Sequence, residues 1–286
     1  MDEPEWTQYL QQFALDTCPA IRQRLTKISP VGKTAKFCVI VEPRDHPFLL
    51  PVLRNFMYML QPKGWGLIVF HGRNNEEVLQ QEIAEWNCGC DDPADPKDPD
   101  VPQTISPVVL HKMDFDNLTI AQYSNLLCSA DFWRTLRSRW GCEHALIFQV
   151  DTVLLRDIID DFLQYDYIGA PFFMPYFRGN VPVGNGGLSL RKCIAMEKIA
   201  SKCSRFIYLS WRRNRFHLEN EDIFFSYWLY KYRGHFCLPT VDIANQFSIE
   251  NVFFDEPCGM HKPDMSIFTD RSVFAAMFPS IIHTSV

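Results

Sequence analysis

The sequence predicts an α/β fold with a mostly parallel central sheet flanked by helices, and three observations carry that prediction. Short apolar, β-prone runs alternate with segments of helical periodicity through the first half of the chain. One of these runs, His144-Ala145-Leu146-Ile147-Phe148, is continuously apolar after its first residue, the pattern of a strand buried on both faces. It stops at Gln149 and Asp151, at the carboxyl end of the strand, where open α/β sheets bind their ligands.

Taken in order, residues 1–33 read as a helical extension. Trp6, Tyr9, Leu10, Phe13 and Ala14 fall near one helix face, Pro19 interrupts it, and Ser29-Pro30-Val31-Gly32 is a connection. This piece is expected to pack on the main domain, residues 34–286, without chemistry of its own. A first strand over 35–41 ends in Glu42-Pro43-Arg44-Asp45-His46-Pro47, a polar cluster where the first βα loop would meet a ligand. A helix over 48–60, a strand over 65–72 and a helix over 74–85 follow. Asn74 or Asn75 caps the latter, with Glu76 and Glu77 in its first turn.

Residues 88–103 are rich in Asp and Pro and read as an exposed loop. A strand over 105–110 and a helix over 119–136 lead into the central run. Beyond it, a helix over 158–164 and a strand and turn at Tyr165-Asp166-Tyr167-Ile168-Gly169-Ala170-Pro171 imply a parallel, right-handed crossover. Residues 172–183 lack a period and read as a loop beside the site. Helices over 192–206 and 218–230, a strand over 241–247 and a loop over 257–263 complete the reading.

Composition narrows the function. The 286 residues are 47% hydrophobic and 14% aromatic, ample for a large core. A formal net charge of -6 argues against broad attraction to nucleic acid or anionic membrane. The cluster Arg212-Arg213-Asn214-Arg215 is a local exception, explained equally by a solvated helix end or an anion site. The ten cysteines are scattered, most of them within apolar or mixed segments such as those of Cys38, Cys128, Cys193 and Cys237, where free cysteine is expected to behave as a small buried hydrophobe. The N-terminus is acidic where a signal peptide would be basic, and no stretch approaches the roughly 20 apolar residues of a membrane span. The expectation is a reduced, soluble, cytoplasmic protein (host cytoplasm for a viral one), with no nucleic-acid partner and no transmembrane segment.

Four polar features stand out. Asp151 with Gln149 follows the central strand, and a carboxylate there suits a metal ion carrying phosphates. Gly184-Asn185-Gly186-Gly187 precedes a strand-like Leu188-Ser189-Leu190, and glycines permit close approach of backbone to ligand, as they also permit an ordinary tight turn. Glu219-Asn220-Glu221-Asp222 opens a helix, where acids complement the dipole or supply a general base. His261 lies late in the chain in Gly-Met-His-Lys-Pro.

Their order resembles the common core of GT-A glycosyltransferases. More closely, Leu146 to Thr152, Tyr165 to Pro171 and Val183-Gly184-Asn185-Gly186-Gly187-Leu188-Ser189-Leu190-Arg191 resemble a GT-A-like family catalogued as a domain of unknown function, with members in fungi, bacteria and large DNA viruses. The resemblance spans roughly residues 36–263. It implies a GT-A-like single domain that transfers sugar from a nucleoside-diphosphate donor, a UDP-sugar, to a hydroxyl of a glycan or glycoconjugate. It also implies that Asp151 and His261 bind Mn²⁺ or Mg²⁺. Asp222, with Glu221 beside it, is then the general base of an inverting reaction. Gly186 and Gly187 lie by the donor sugar, while Glu42, Arg44, Tyr123, Ser124 and Gln149 hold the donor. Gln149 stands where relatives place the first Asp of an Asp-x-Asp motif, one carboxylate fewer for a metal. A retaining transferase on the same scaffold and a catalytically degenerate nucleotide-sugar binder are the rival readings. A nucleotidyltransferase is a further alternative, disfavoured because Glu42-Pro43-Arg44 is not a basic, Gly-rich triphosphate loop. The sequence leaves the sugar, acceptor and oligomeric state open.

Overall fold

The structure, a computed structural model, describes residues 3–16, 21, 25, 34–86, 108–175, 181–209 and 214–277. The expected connection at Ser29 to Gly32, the loop over 88–103 and the arginines 212 and 213 lie outside the described residues.

The chain opens with α1 (Glu3–Asp16), then β1 (Lys36–Glu42), α2 (Leu49–Leu60), β2 (Gly66–His71) and α3 (Glu76–Glu85). Next come β3 (Val108–Lys112), α4 (Ile120–Leu127), α5 (Ala130–Trp140), β4 (His144–Phe148) and β5 (Thr152–Leu154). The middle holds β6 (Tyr167–Gly169), β7 (Pro171–Pro175), β8 (Val181–Val183), β9 (Leu188–Lys192) and α6 (Cys193–Lys202). The hairpin strands β10 (Phe206–Leu209) and β11 (Asn214–His217) precede α7 (Glu221–Lys231) and α8 (Val241–Phe247). The last elements are β12 (Ser248–Ile249), β13 (Gly259–His261) and α9 (Arg271–Met277).

Six strands form the central sheet in the order β3-β2-β1-β4-β9-β6. The first four are parallel, β9 runs antiparallel to β4, and β6 antiparallel to β9. Alternate residues of β1 feed opposite faces: Cys38 and Ile40 join one apolar core, Phe37, Val39 and Val41 the other. The predicted α/β architecture, with a mostly parallel sheet covered by helices on both faces, is therefore the observed one. Trp6, Leu10 and Phe13 of α1 are buried in the first of these cores. Among the described residues, no helix is long and apolar enough to cross a membrane.

Several element predictions need correction. The central run divides at Gln149: β4 stays in the main sheet, whereas β5 joins a small second sheet of order β12-β13-β5. The crossover before β6 does not seat it beside β4, because β9 inserts between them. The predicted helix over 119–136 is two, since Thr119 and Gln122 form a capping box and the Ser129 side chain caps a second start. The stretch over 158–164 forms only a short 3₁₀ turn, Ile159–Phe162. The predicted loop over 172–183 contributes β7 and β8, and the helix from 192 stops at Lys202 so that β10 can begin. Val241–Phe247 is helical despite its β-prone residues, because Thr240 accepts a capping bond from Ile243 N and Ala244 and Phe247, three apart, bury one face. His261 sits on a strand, β13, and not in a loop.

Candidate active site

Between β1 and β4 the order of the sheet reverses, and α/β sheets place ligands outside the carboxyl ends of the strands at such a switch point. A cavity of about 380 Å³ lies there. Glu42 and Arg44 enter it from the end of β1, Tyr123 and Ser124 from α4, and Gln149 and Asp151 from the turn after β4. Gly186 and Gly187, Glu221 and Asp222 at the start of α7, and His261 complete its lining. The candidate donor, metal and base residues thus share one cavity, while Gly184 and Glu219 of the same motifs do not line it.

Local folding explains why Asp151 and His261 meet although they lie 110 positions apart in the chain. In the small sheet β5 pairs antiparallel with β13, opposing Thr152 to His261. Buried Asn55 of α2 holds β5 in place, donating to Leu154 O at 2.9 Å and accepting from Leu154 N at 2.7 Å. The pairing brings His261 Nε2 to 3.3 Å from Asp151 Oδ1 and 3.2 Å from Gln149 Oε1. Burial works against the imidazolium, but the carboxylates of Asp151 and Glu250 outweigh it and push His261 up to about 10. In return, the His261 charge overcomes burial and holds Asp151 below the usual aspartate range.

The set tests acceptably against a hard divalent cation. A carboxylate oxygen, an amide oxygen and an imidazole nitrogen converge, the last becoming a ligand where a cation displaces the proton that the carboxylates hold on His261, and Asp151 Oδ1 is buried without a well-formed hydrogen bond. Among the described residues, no group of three or more His, Cys, Asp or Glu is arranged to hold a metal ion. A cation here would therefore need ligands from a substrate as well, the manner in which Mg²⁺ is commonly held on phosphates.

The glycine-rich turn is a site of close approach. Gly187 packs against the His261 ring, where a β-carbon would overlap the imidazole, and Gly169 of β6 passes under the Asn185 carbonyl with no room for a side chain. Gly186 N–H donates to Asp222 Oδ2 at 3.3 Å, and Ile223 N–H to Oδ1 at 2.6 Å. Burial, then the adjacent Glu221 carboxylate, push Asp222 up to about 7 against the lowering effect of these N–H groups and of Arg191. Such a carboxyl can exchange a proton near neutrality, as a general base must.

Arg191 was not among the residues selected from sequence. It is fully buried, 2.9 Å from Glu221 Oε1, bonded to Ser189 Oγ at 2.9 Å, and faces the rings of Tyr167, Phe225 and Trp133. Glu221 is thus committed to an ion pair in the cavity floor, leaving Asp222 as the carboxylate available to a ligand. The signal in the sequence is a charge inside the apolar alternation Leu188-Ser189-Leu190-Arg191. Arg191→Met should lower stability by about 3–5 kcal/mol in urea unfolding, because it strands a buried carboxylate. Arg191→Met with Glu221→Gln should recover most of that loss.

At the other wall Arg44 forks onto Glu42, with Nε to Oε1 and NH2 to Oε2 both at 2.7 Å. Asn75, expected to cap α3, instead spends its side chain on this loop. It donates to Glu42 O at 2.7 Å and Arg44 O at 2.9 Å, and accepts from Gly72 N at 3.0 Å. Tyr123 Oη is buried within reach of Gln149 but without a well-formed hydrogen bond, and it lines the same cavity, a donor or acceptor available to a ligand.

No curated protein matches the chain. Among solved structures, a galactosyltransferase, LgtC, in complex with donor and acceptor sugar analogs is similar at 11% identity and a TM-score of 0.43, over 87% of this chain and 97% of that one. A mannosyltransferase from Pyrobaculum calidifontis in complex with GDP-Man and Mn²⁺ is similar at 14% identity and 0.35, over 68% and 56% respectively. A cytidylyltransferase from Leptospira borgpetersenii is similar at 14% and 0.37, over 88% and 99%. The family described as "Protein of unknown function (DUF5672)" matches residues 108–261, which hold the central strand, the glycine turn, Asp222 and His261. With more than half of its length matched by that model, the chain belongs to this family.

Proposed function

We propose that the protein is an inverting glycosyltransferase that moves a sugar from a UDP-sugar to a hydroxyl of a glycan or glycoconjugate. The observation that carries this reading is one cavity holding both the Asp151–His261 pair and an aspartate, Asp222, poised to titrate near neutrality. Glycosyl transfer leaves negative charge on the departing diphosphate and frees a proton from the acceptor. Arg44, the arginine in the cavity lining, is engaged by Glu42, and Arg191, buried behind the lining, by Glu221. Charge on the diphosphate therefore calls for a cation. Mn²⁺ or Mg²⁺, held by Asp151, His261 and the Gln149 amide oxygen, would supply Lewis-acid stabilisation of that charge.

The chain's own groups do the rest. Tyr123, Ser124 and the Glu42–Arg44 wall bind the nucleotide, the glycine turn admits the sugar without side chains in the way, and Asp222 takes the acceptor proton. The free, buried cysteines 38, 142, 193 and 258 support a reducing, cytoplasmic setting.

Calorimetry with a panel of UDP-sugars, with and without Mn²⁺, tests the donor and cation together. A true donor at a hundred times its Kd should stabilise the fold by about 2.7 kcal/mol. NMR of the product then reads the anomeric configuration. Retention would assign the acceptor proton to the leaving phosphate and leave Asp222 a positioning role. Binding without transfer or hydrolysis would favour the nucleotide-sugar binder, a reading supported by Gln149 standing in place of a second carboxylate.

A further inference from the structure

The N-terminal helix was expected to be packing without chemistry, yet one of its side chains reaches the cation turn. Trp6 Nε1 donates to the carbonyl oxygen of Asp151 at 3.1 Å, across 145 positions of sequence. The same oxygen accepts from Lys262 N at 3.2 Å, next to His261. Lys262 adopts φ +38°, the only non-glycine residue in the left-handed region among those described, so the backbone bends against its preference to make that contact. Two elements from opposite ends of the chain thus fix one peptide. Its residue carries the carboxylate 3.3 Å from His261.

Trp6 is buried, and what holds it is also unusual. Its indole and the Tyr9 ring both meet Phe274 of α9, with centroids 6.1 Å and 4.3 Å away, and Phe274 in turn meets Phe268 at 4.8 Å. For packing alone a phenylalanine would serve at position 6. The indole N–H adds a directed bond, and its acceptor is Asp151, not another helix. Within the turn, Thr152 N donates to Gln149 O at 3.2 Å and Gln149 N to Thr152 Oγ1 at 3.3 Å. Those bonds shape the turn but leave its Asp151 carbonyl to be oriented from outside.

We propose that Trp6 is a positioning residue of the cation site: α1 orients the Asp151 peptide through the indole N–H and so aims the carboxylate at the point where His261 and Gln149 converge. This rests on the reading of Asp151 and His261 as cation ligands, and it makes α1 part of the site. A single hydrogen bond of this kind is worth about 3- to 10-fold in an affinity that depends on the geometry it holds.

The test uses the full chain and Mn²⁺ itself, titrated in the presence of UDP and followed by the loss of the free-ion electron paramagnetic resonance signal. Four proteins are compared: wild type, Trp6→Phe, Phe13→Leu and Asp151→Ala. Trp6→Phe keeps the ring against Phe274 and loses only the N–H. Phe13→Leu loosens the same helix in the same core without touching the bond, and melting temperatures show how much each variant costs in stability. The expected result is Mn²⁺ binding about 3- to 10-fold weaker in Trp6→Phe, unchanged in Phe13→Leu and lost in Asp151→Ala. Equal affinity in Trp6→Phe and wild type, or equal weakening in Trp6→Phe and Phe13→Leu, overturns the positioning role while the cation site stands. Wild-type affinity in Asp151→Ala, or no binding by wild type, overturns the cation reading and the proposal with it.

Discussion

Asp222→Asn is expected to lower kcat by about 10²–10⁴-fold while leaving donor affinity nearly intact. The substitution keeps the size of the side chain beneath Gly186, removes its capacity to take a proton, and replaces one of the two oxygens that accept backbone N–H bonds with an amide NH2. Because the base works as a carboxylate, wild-type kcat/KM should rise with pH and level off above an inflection near 7, where Asp222 is pushed by burial and Glu221. Stability should follow the opposite course. The folded acid titrates above the unfolded value of about 3.9, so the contribution of Asp222 is fully present below about 4 and is lost as pH rises through about 7. The stability difference between the variant and wild type should therefore shift towards the variant between pH 5 and pH 8, as urea unfolding at the two pH values would measure. Turnover by Asp222→Asn with the wild-type pH profile would remove Asp222 from the role of base.

The parts of this molecule that were legible in the sequence are those set by local pattern. β1, β2 and β4 are apolar runs of strand length and β9 begins as an apolar alternation after glycines, and both the strands and the positions of Glu42, Asp151 and Gly187 at their ends could be read from that. Helix α7 announced itself by Glu221 and Asp222 at its start. What escaped is what distant chain decides. The exception is local: Thr240 beside Val241 is an N-cap residue, and that signal was outweighed by the β-prone residues after it. Nothing in the run from His144 to Leu155 reveals that its second half will leave the main sheet to pair with β13. That exchange of partners is what puts His261 beside Asp151, so the site was visible as a list of residues and its geometry was not.

The missed residues follow the same rule. Arg191, Asn55, Asn75 and Trp6 act by side-chain bonds to groups 30 or more positions away. Each is a polar atom placed inside an apolar environment, where an unmet donor is costly and a partner must exist. Asn55 sits within the apolar helix Leu49–Leu60, and Arg191 within a buried strand. A polar residue out of pattern was the available signal, and it announces a partner without naming it.

Gly187→Ala is the second large effect, and it tests the geometry of the pair without altering either member. A methyl group at this position would overlap the His261 imidazole. The ring cannot step back freely, since His261 is held in β13 opposite Thr152, and Thr152 Oγ1 in turn donates to Gly187 O at 3.4 Å. Overpacking of this kind costs about 1–3 kcal/mol, and displacement of a site by about 1 Å can cost on the order of 10²-fold in rate. Turnover should fall by about that factor, with melting temperature lowered in parallel. The cause is separable by a double variant. Gly187→Ala combined with His261→Ala removes the obstacle, so stability should return towards wild type while activity stays low, a strong non-additivity in stability alone. Additive losses in the double variant would place the damage in the glycine backbone and not in the contact with His261. In that case the close approach of turn and imidazole would no longer explain why glycine stands at position 187.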